Sequence, residues 1–174
     1  CVDEILQSMD VVVAGPGLGD GAGVFLEKIW RSDRPLVLDA DGLNWLSEAN
    51  LDKREVEWIG TPHPGEARKL LGENIDDRFT AVERLHDLYG GLWVLKGAGT
   101  LVGPNPIYEN PFADSILATA GSGDVLAGVI GGLLSQKSVS PAQKGVYIHS
   151  KAAELLKTEG RTTIVATDLL DAVS

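Results

Sequence analysis

The run Ala118-Thr119-Ala120-Gly121-Ser122-Gly123-Asp124-Val125-Leu126 holds the residues best suited to chemistry. Small side chains lead straight into an apolar stretch, so the first N–H groups of the helix that follows stand unobstructed and can gather round an anion. Gly121, Ser122 and Gly123 are the expected anion hole. Asp124 stands at its mouth, where the helix dipole favours a carboxylate and where that carboxylate can take a proton. Aspartate is also a common helix N-cap, and the residues alone leave both roles open.

A second group is Lys96-Gly97-Ala98-Gly99-Thr100, which offers a cation, a hydroxyl and backbone donors in one short loop and suits contact with phosphate. The lysine precedes the glycines and no helix follows, so the loop is not a Walker A loop. A plain hairpin turn explains the same residues. The third group, His63-Pro64-Gly65-Glu66, places an imidazole and a carboxylate at the two ends of a helix's first turn, and an isolated histidine there is usually structural. Asp39 and Asp41 lie at the end of an apolar run, where open α/β sheets bind ligands, yet Asp41-Gly42 also suits a helix start. Structural roles are the stronger reading for both. His149, on an apolar helical stripe, and His86, among Phe79, Val82 and Tyr89, read as packing residues.

These groups need elements to hold them. The apolar runs Val11–Ala14, Leu36–Leu38, Glu57–Gly60 and Trp93–Leu95 read as buried strands, the first entering the glycine-rich loop Gly15-Pro16-Gly17-Leu18-Gly19. Helices are expected over about 23–30, after Gly42, from Pro64 to Leu71 and from Asp76 to Tyr89. Short strands at Thr100–Val102 and Ile107–Glu109, split by Gly103-Pro104-Asn105-Pro106, suit a hairpin and make the sheet mixed. Helices over Val125–Leu134, Pro141–Lys157 and Thr167–Val173 follow, with Thr167 as N-cap of the last. Nothing repeats and no linker intervenes, so residues 1–174 read as a single α/β layered domain.

Composition narrows the partners. A formal net charge of -10 with no basic run disfavours nucleic acid, while a few amides and one lysine still suffice for a nucleotide. With 44% hydrophobic residues and no long apolar stretch, the chain fits a soluble domain with no membrane partner. One cysteine, Cys1, allows no internal disulfide, which points to a reducing, cytoplasmic setting. The first residues have neither an initiator methionine nor signal-peptide character, so the chain is expected to be a fragment.

Taken in order, Gly15-Pro16-Gly17-Leu18-Gly19, Asp39-Ala40-Asp41-Gly42-Leu43, Thr61-Pro62-His63-Pro64-Gly65-Glu66, Leu95-Lys96-Gly97-Ala98-Gly99-Thr100, Gly121-Ser122-Gly123-Asp124 and Ala166-Thr167-Asp168-Leu169-Leu170 resemble the ADP- or ATP-dependent NAD(P)H-hydrate dehydratases. The resemblance implies a ribokinase-like three-layer α/β/α domain with a mostly parallel central sheet, truncated at its N-terminus. It implies that Gly19, His63 and Asp124 contact the hydrated nicotinamide nucleotide. Lys96, Gly97, Ala98, Gly99, Thr100 and Gly123 would bind ADP or ATP. The implied reaction phosphorylates the C6 hydroxyl of hydrated NADH or NADPH and eliminates phosphate, with Asp124 as base. Mg²⁺ would bridge nucleotide oxygens, with Glu66 as the expected protein ligand.

Family domains extend further before the Gly15 loop, so a homo-oligomer, or pairing with a chain that supplies the absent part, is expected. The approach Phe112-Ala113-Asp114-Ser115-Ile116-Leu117 departs from the Asn-Pro-Gly-Met-like run of many members. Two rivals stand beside this reading. A ribokinase-like small-molecule kinase would share the anion hole and the aspartate but typically has asparagine where His63 stands. A Rossmann dehydrogenase would explain Gly17-Leu18-Gly19-Asp20-Gly21-Ala22 with Asp39 roughly 20 residues on, but not the lysine loop or the Gly121 turn.

Overall fold

The computed structural model describes residues 2–19, 21–112 and 115–173. In chain order the elements are α1 (Val2–Ser8), β1 (Val12–Ala14), α2 (Gly23–Trp30), β2 (Leu36–Leu38), α3 (Asp41–Glu48), β3 (Trp58–Gly60), α4 (Pro64–Leu71), α5 (Arg78–Tyr89), β4 (Leu92–Leu95), β5 (Leu101–Gly103) and β6 (Tyr108–Glu109). A 3₁₀ turn at Ser115–Leu117 leads to α6 (Ser122–Ser135), α7 (Pro141–Thr158) and α8 (Ala166–Val173). The strands form one sheet in sequence order, β1 to β6. Pairs from β1 to β4 are parallel, and β4–β5 and β5–β6 are antiparallel, which is the mixed sheet expected.

Alternation along the strands sorts the core into two faces. Leu36, Leu38, Trp58, Trp93 and Leu95 point to one side and pack on Leu26, Ile29, Leu43, Leu46, Leu70 and Leu85 of α2 to α5. Val37, Ile59 and Val94 point to the other and pack on Leu126, Ile130 and Val146 of α6 and α7. A period of two along each strand therefore builds three layers, helices above and below the sheet. On α5 the buried stripe is Ala81, Val82 and Leu85, whereas Phe79 and Leu88 are exposed.

Several boundaries differ from expectation. The short α1 has only Leu6 buried, too little apolar signal to stand out in the sequence. Helix α6 starts at Ser122, three residues earlier than expected, because Gly121 takes the N-cap position. Thr167 is not the N-cap of α8. That helix already includes Ala166, and its third residue, Asp168, reaches back with its carboxylate to accept the Val165 N–H at 2.8 Å. Among the described residues, no helix is long and apolar enough to cross a membrane.

Candidate active site

The C-terminal ends of β2, β3 and β4 meet the N-terminus of α6, where parallel sheets gather ligand-binding groups. Parallel pairing continues beyond the strands: Thr61 N–H donates to the Leu38 carbonyl at 3.0 Å and Lys96 N–H to the Pro62 carbonyl at 2.8 Å. These bonds bring the segments after the three strands side by side. The Lys96 Nζ donates to Asp39 Oδ1 at 2.8 Å, and Asp39 is 1% exposed. Lys96 Nζ also lies 3.1 Å from where a Cβ on Gly123 would stand, so the turn into α6 passes close against the ion pair.

A cavity of about 770 Å³ opens here, and His63, Lys96, Thr100, Ser122, Gly123 and His149 are in its wall. Gly97 and Ala98 line it as well, so the lysine loop, the anion turn and His63 are brought together. Gly19, Glu66, Gly99, Gly121 and Asp124 lie outside that wall. The lysine loop is also a hairpin turn, joining the antiparallel β4 and β5, with Thr100 Oγ1 donating to the Gly97 carbonyl at 3.1 Å. The hairpin-turn reading of those residues therefore holds.

Asp124 is the third residue of α6 and exposed, with Gly121 at the N-cap and no side-chain cap bond. The N-cap reading of Asp124 is thereby replaced by a first-turn carboxylate open to solvent. Of the expected anion hole, the Ser122 N–H is already given to the Thr119 carbonyl at 3.2 Å and its Oγ to the Leu117 carbonyl at 2.6 Å. The amides of Gly123 and Asp124 fall in the first turn, where a helix supplies no acceptor of its own. The hole is narrower than the sequence suggested.

His63 is the N-cap of α4. Its Nδ1 accepts from Gly65 N–H at 2.9 Å and Glu66 N–H at 3.2 Å, which leaves the proton on Nε2. Glu66 completes the capping box by accepting the His63 N–H at 2.7 Å, and its second oxygen stands 3.4 Å from His63 Nε2. Glu66, expected as a metal ligand, thus faces the helix cap with both oxygens. The His63 side chain stays 57% exposed and keeps a face in the cavity wall. Among the described residues, no group of three or more His, Cys, Asp or Glu is placed to hold a metal.

Asp41 is structural, as expected: its Oδ2 accepts the Gly19 N–H at 2.9 Å and pins the glycine loop after β1. Asp39 does more than expected, since it holds the cavity's lysine. His86 is structural too, with Nδ1 2.6 Å from the Gly91 carbonyl. His149 is a buried packing residue of α7, as expected, and it also lines the cavity, which was not expected. It is 6% exposed and its Nε2 has no hydrogen-bond partner. Burial, aided by the Lys96 charge and opposed by the Ser122 main chain, pushes its pKa down to about 4, so the ring is neutral. Only the packing of α7 on α6 brings it to the site, and no local pattern carries that contact.

A mostly parallel sheet between helical layers, with a phosphate-type turn at its C-terminal edge, defines a ribokinase-like protein. The solved ribokinase-like protein of Enterococcus faecalis matches with a TM-score of 0.88 and 25% identity, over 98% of this chain and 63% of its own. The chain belongs to the NAD(P)H-hydrate dehydratase family, whose sequence profile matches residues 2–174. The bifunctional NAD(P)H-hydrate repair enzyme of Coxiella burnetii is 46% identical over 176 residues, 95% of this chain and 36% of that protein. The ADP-dependent (S)-NAD(P)H-hydrate dehydratase of Neisseria meningitidis is 41% identical over 170 residues, 87% of this chain and 56% of that protein. The Bacillus subtilis ADP/ATP-dependent NAD(P)H-hydrate dehydratase, co-crystallised with ATP and Mg²⁺, matches with a TM-score of 0.83 and 30% identity, over 94% of this chain and 62% of its own. The chain therefore spans about a third to two thirds of the length of these proteins.

Proposed function

We propose that residues 1–174 form most of one dehydratase domain that converts the S-epimer of hydrated NADH or NADPH to NADH or NADPH at the expense of ADP or ATP. The observation carrying this reading is the single cavity that gathers the lysine loop, the α6 turn and His63 in a chain of this family. In this reading the nucleotide phosphates lie against Lys96 Nζ and the Gly123 N–H, with Gly97, Ala98, Gly99 and Thr100 forming the loop beside them. A neutral His149 suits that wall, because it adds no second cation beside Lys96. Gly19, His63 and Asp124 hold the hydrated nicotinamide ring.

The Asp124 carboxylate takes the proton of the C6 hydroxyl as that oxygen forms a bond to the terminal phosphorus of the nucleotide. The bond from that phosphorus to the bridging oxygen breaks, and ATP leaves as ADP, or ADP as AMP. The phosphorylated C6–O bond then breaks, C5 gives up a proton to water, and inorganic phosphate departs from a ring whose C5=C6 double bond is restored. The Gly123 amide stabilises charge on the phosphoryl group in transit. Mg²⁺, bound together with the nucleotide, would neutralise phosphate charge.

The setting proposed is the cytoplasm, where these nucleotides are used. β1 is an edge of the sheet, and Val13 on it is 41% exposed, which supports the view that a further segment or a second chain pairs there. Calorimetric titration with ADP and ATP in the presence of Mg²⁺ tests the nucleotide half of the reading. Lys96→Ala is expected to weaken binding by about tenfold or more, through loss of a charge-assisted contact. Unchanged affinity in Lys96→Ala and Thr100→Ala would remove the loop from the site.

A further inference from the structure

The lysine loop is gripped from outside the cavity by a residue with no part in the reading above. Arg78, the first residue of α5, donates from Nη1 to the Ala98 carbonyl at 2.6 Å and from Nη2 to the Leu95 carbonyl at 3.2 Å. One planar fork thus bridges the end of β4 and the apex of the loop, a span that an ammonium cannot reproduce. Its base is fixed: Asp77 caps α5 by accepting the Phe79 and Thr80 N–H groups, each at 3.1 Å. The sequence of the loop answers to the same contact. Gly97 has φ +142°, and a Cβ there would sit 3.2 Å from Arg78 Nη2. The glycine is required by its backbone and also leaves the guanidinium its place.

Pinning the Ala98 carbonyl has a consequence for the donors of the loop. In a trans peptide the N–H points opposite the C=O, so the Gly99 N–H is turned away from α5 and the loop cannot rotate that peptide without giving up a charge-assisted bond. The Leu95 carbonyl belongs to the peptide whose N–H, on Lys96, is given to Pro62. That peptide plane is therefore held from both sides, at the residue whose side chain meets Asp39 and the cavity.

We propose that Arg78 is a positioning residue for nucleoside di- or triphosphate binding: it fixes the conformation of residues 96–100 without touching the ligand. This rests on the proposed nucleotide site. Arg78 sets how well the loop meets phosphate and has no role toward the hydrated nicotinamide.

The test compares Arg78→Met and Arg78→Lys with the parent by calorimetry with ADP and ATP in the presence of Mg²⁺, by steady-state kinetics, and by thermal melting. Arg78→Met is expected to raise the nucleotide KM by about tenfold or more, the scale of two lost hydrogen bonds to a charged group. The KM for the hydrated substrate should stay within about twofold and kcat should change little, a split that general loss of structure does not produce. Arg78→Lys keeps the charge and loses the fork, so it should fall with Arg78→Met. If Arg78→Met does not fold, Arg78→Lys alone decides. Nucleotide KM at the parent value in Arg78→Lys would overturn the proposal, as would both substrate KM values rising together. Absence of nucleotide binding in the parent protein would instead remove the underlying site assignment.

Discussion

Two side chains at the site have sharply different environments, and each makes a prediction. Asp124 is exposed in the first turn of α6 and makes no cap bond, so removing its charge should leave the helix intact. Asp124→Asn is expected to cut turnover by about 10² to 10⁴-fold, the general-base range, while nucleotide affinity is kept or improved. Turnover within about tenfold of the parent, measured under saturating nucleotide, would contradict the base assignment. His149 is buried and neutral, with its pKa pushed down to about 4. Unfolding releases it to an ordinary value near 6.5, so it contributes stability that is full above about pH 6.5 and is lost as pH falls toward 4. The loss amounts to on the order of 3 kcal/mol from this one group. Denaturant midpoints measured from pH 7 to 4 should fall less steeply in His149→Phe; equal slopes would show that another group sets the acid response. The place of Asp124 at the start of α6 was legible because small residues before an apolar run mark a helix start. The place of His149 in the cavity wall was not, since its position on an apolar stripe is what a packing residue also shows.

At the scale of elements, the site depends on loops that local hydrogen bonds hold in register. His63 both caps α4 and presents its ring to the cavity, and these uses can be separated. His63→Asn keeps a side-chain oxygen for the cap, so melting should stay near the parent, whereas His63→Ala should cost about 1 kcal/mol. Both are expected to raise the KM for the hydrated substrate; an unchanged KM in His63→Asn would leave the residue with the capping role alone. β1, β2, β3 and β5 were legible because each is a short apolar run ending at glycine, proline or aspartate. Helix starts were less so: Gly121 and Val165 precede α6 and α8, positions where a search for aspartate or threonine caps looks two to three residues too late. The capping box at His63 and Glu66 was visible as residue types, but histidine as its acceptor is an unusual choice, and the carboxylate was free to be read as a ligand.

For the whole molecule, the sheet order β1 to β6 leaves β1 as an edge with Val13 exposed, while Val37, Ile59 and Val94 of the inner strands are fully covered. The chain is therefore expected to self-associate through this edge, and light scattering of a stable monomer at all concentrations would contradict this. The layered fold was legible from the alternation of strand and helix patterns, and the mixed sheet from the proline-glycine hairpin after β5. Which polar groups face the cavity was not, because Lys96 meets Asp39 across 57 positions of sequence, a contact fixed only when the two strands lie in one sheet. Nucleotide-driven repair is tested most directly by one assay. The purified protein is mixed with S-hydrated NADH, ADP or ATP, and Mg²⁺. The near-ultraviolet absorbance of dihydronicotinamide should return, with one inorganic phosphate released per ring and no return when nucleotide is omitted. Nucleotide consumption with no recovery of that absorbance, or with a stable phosphorylated product, would contradict the account.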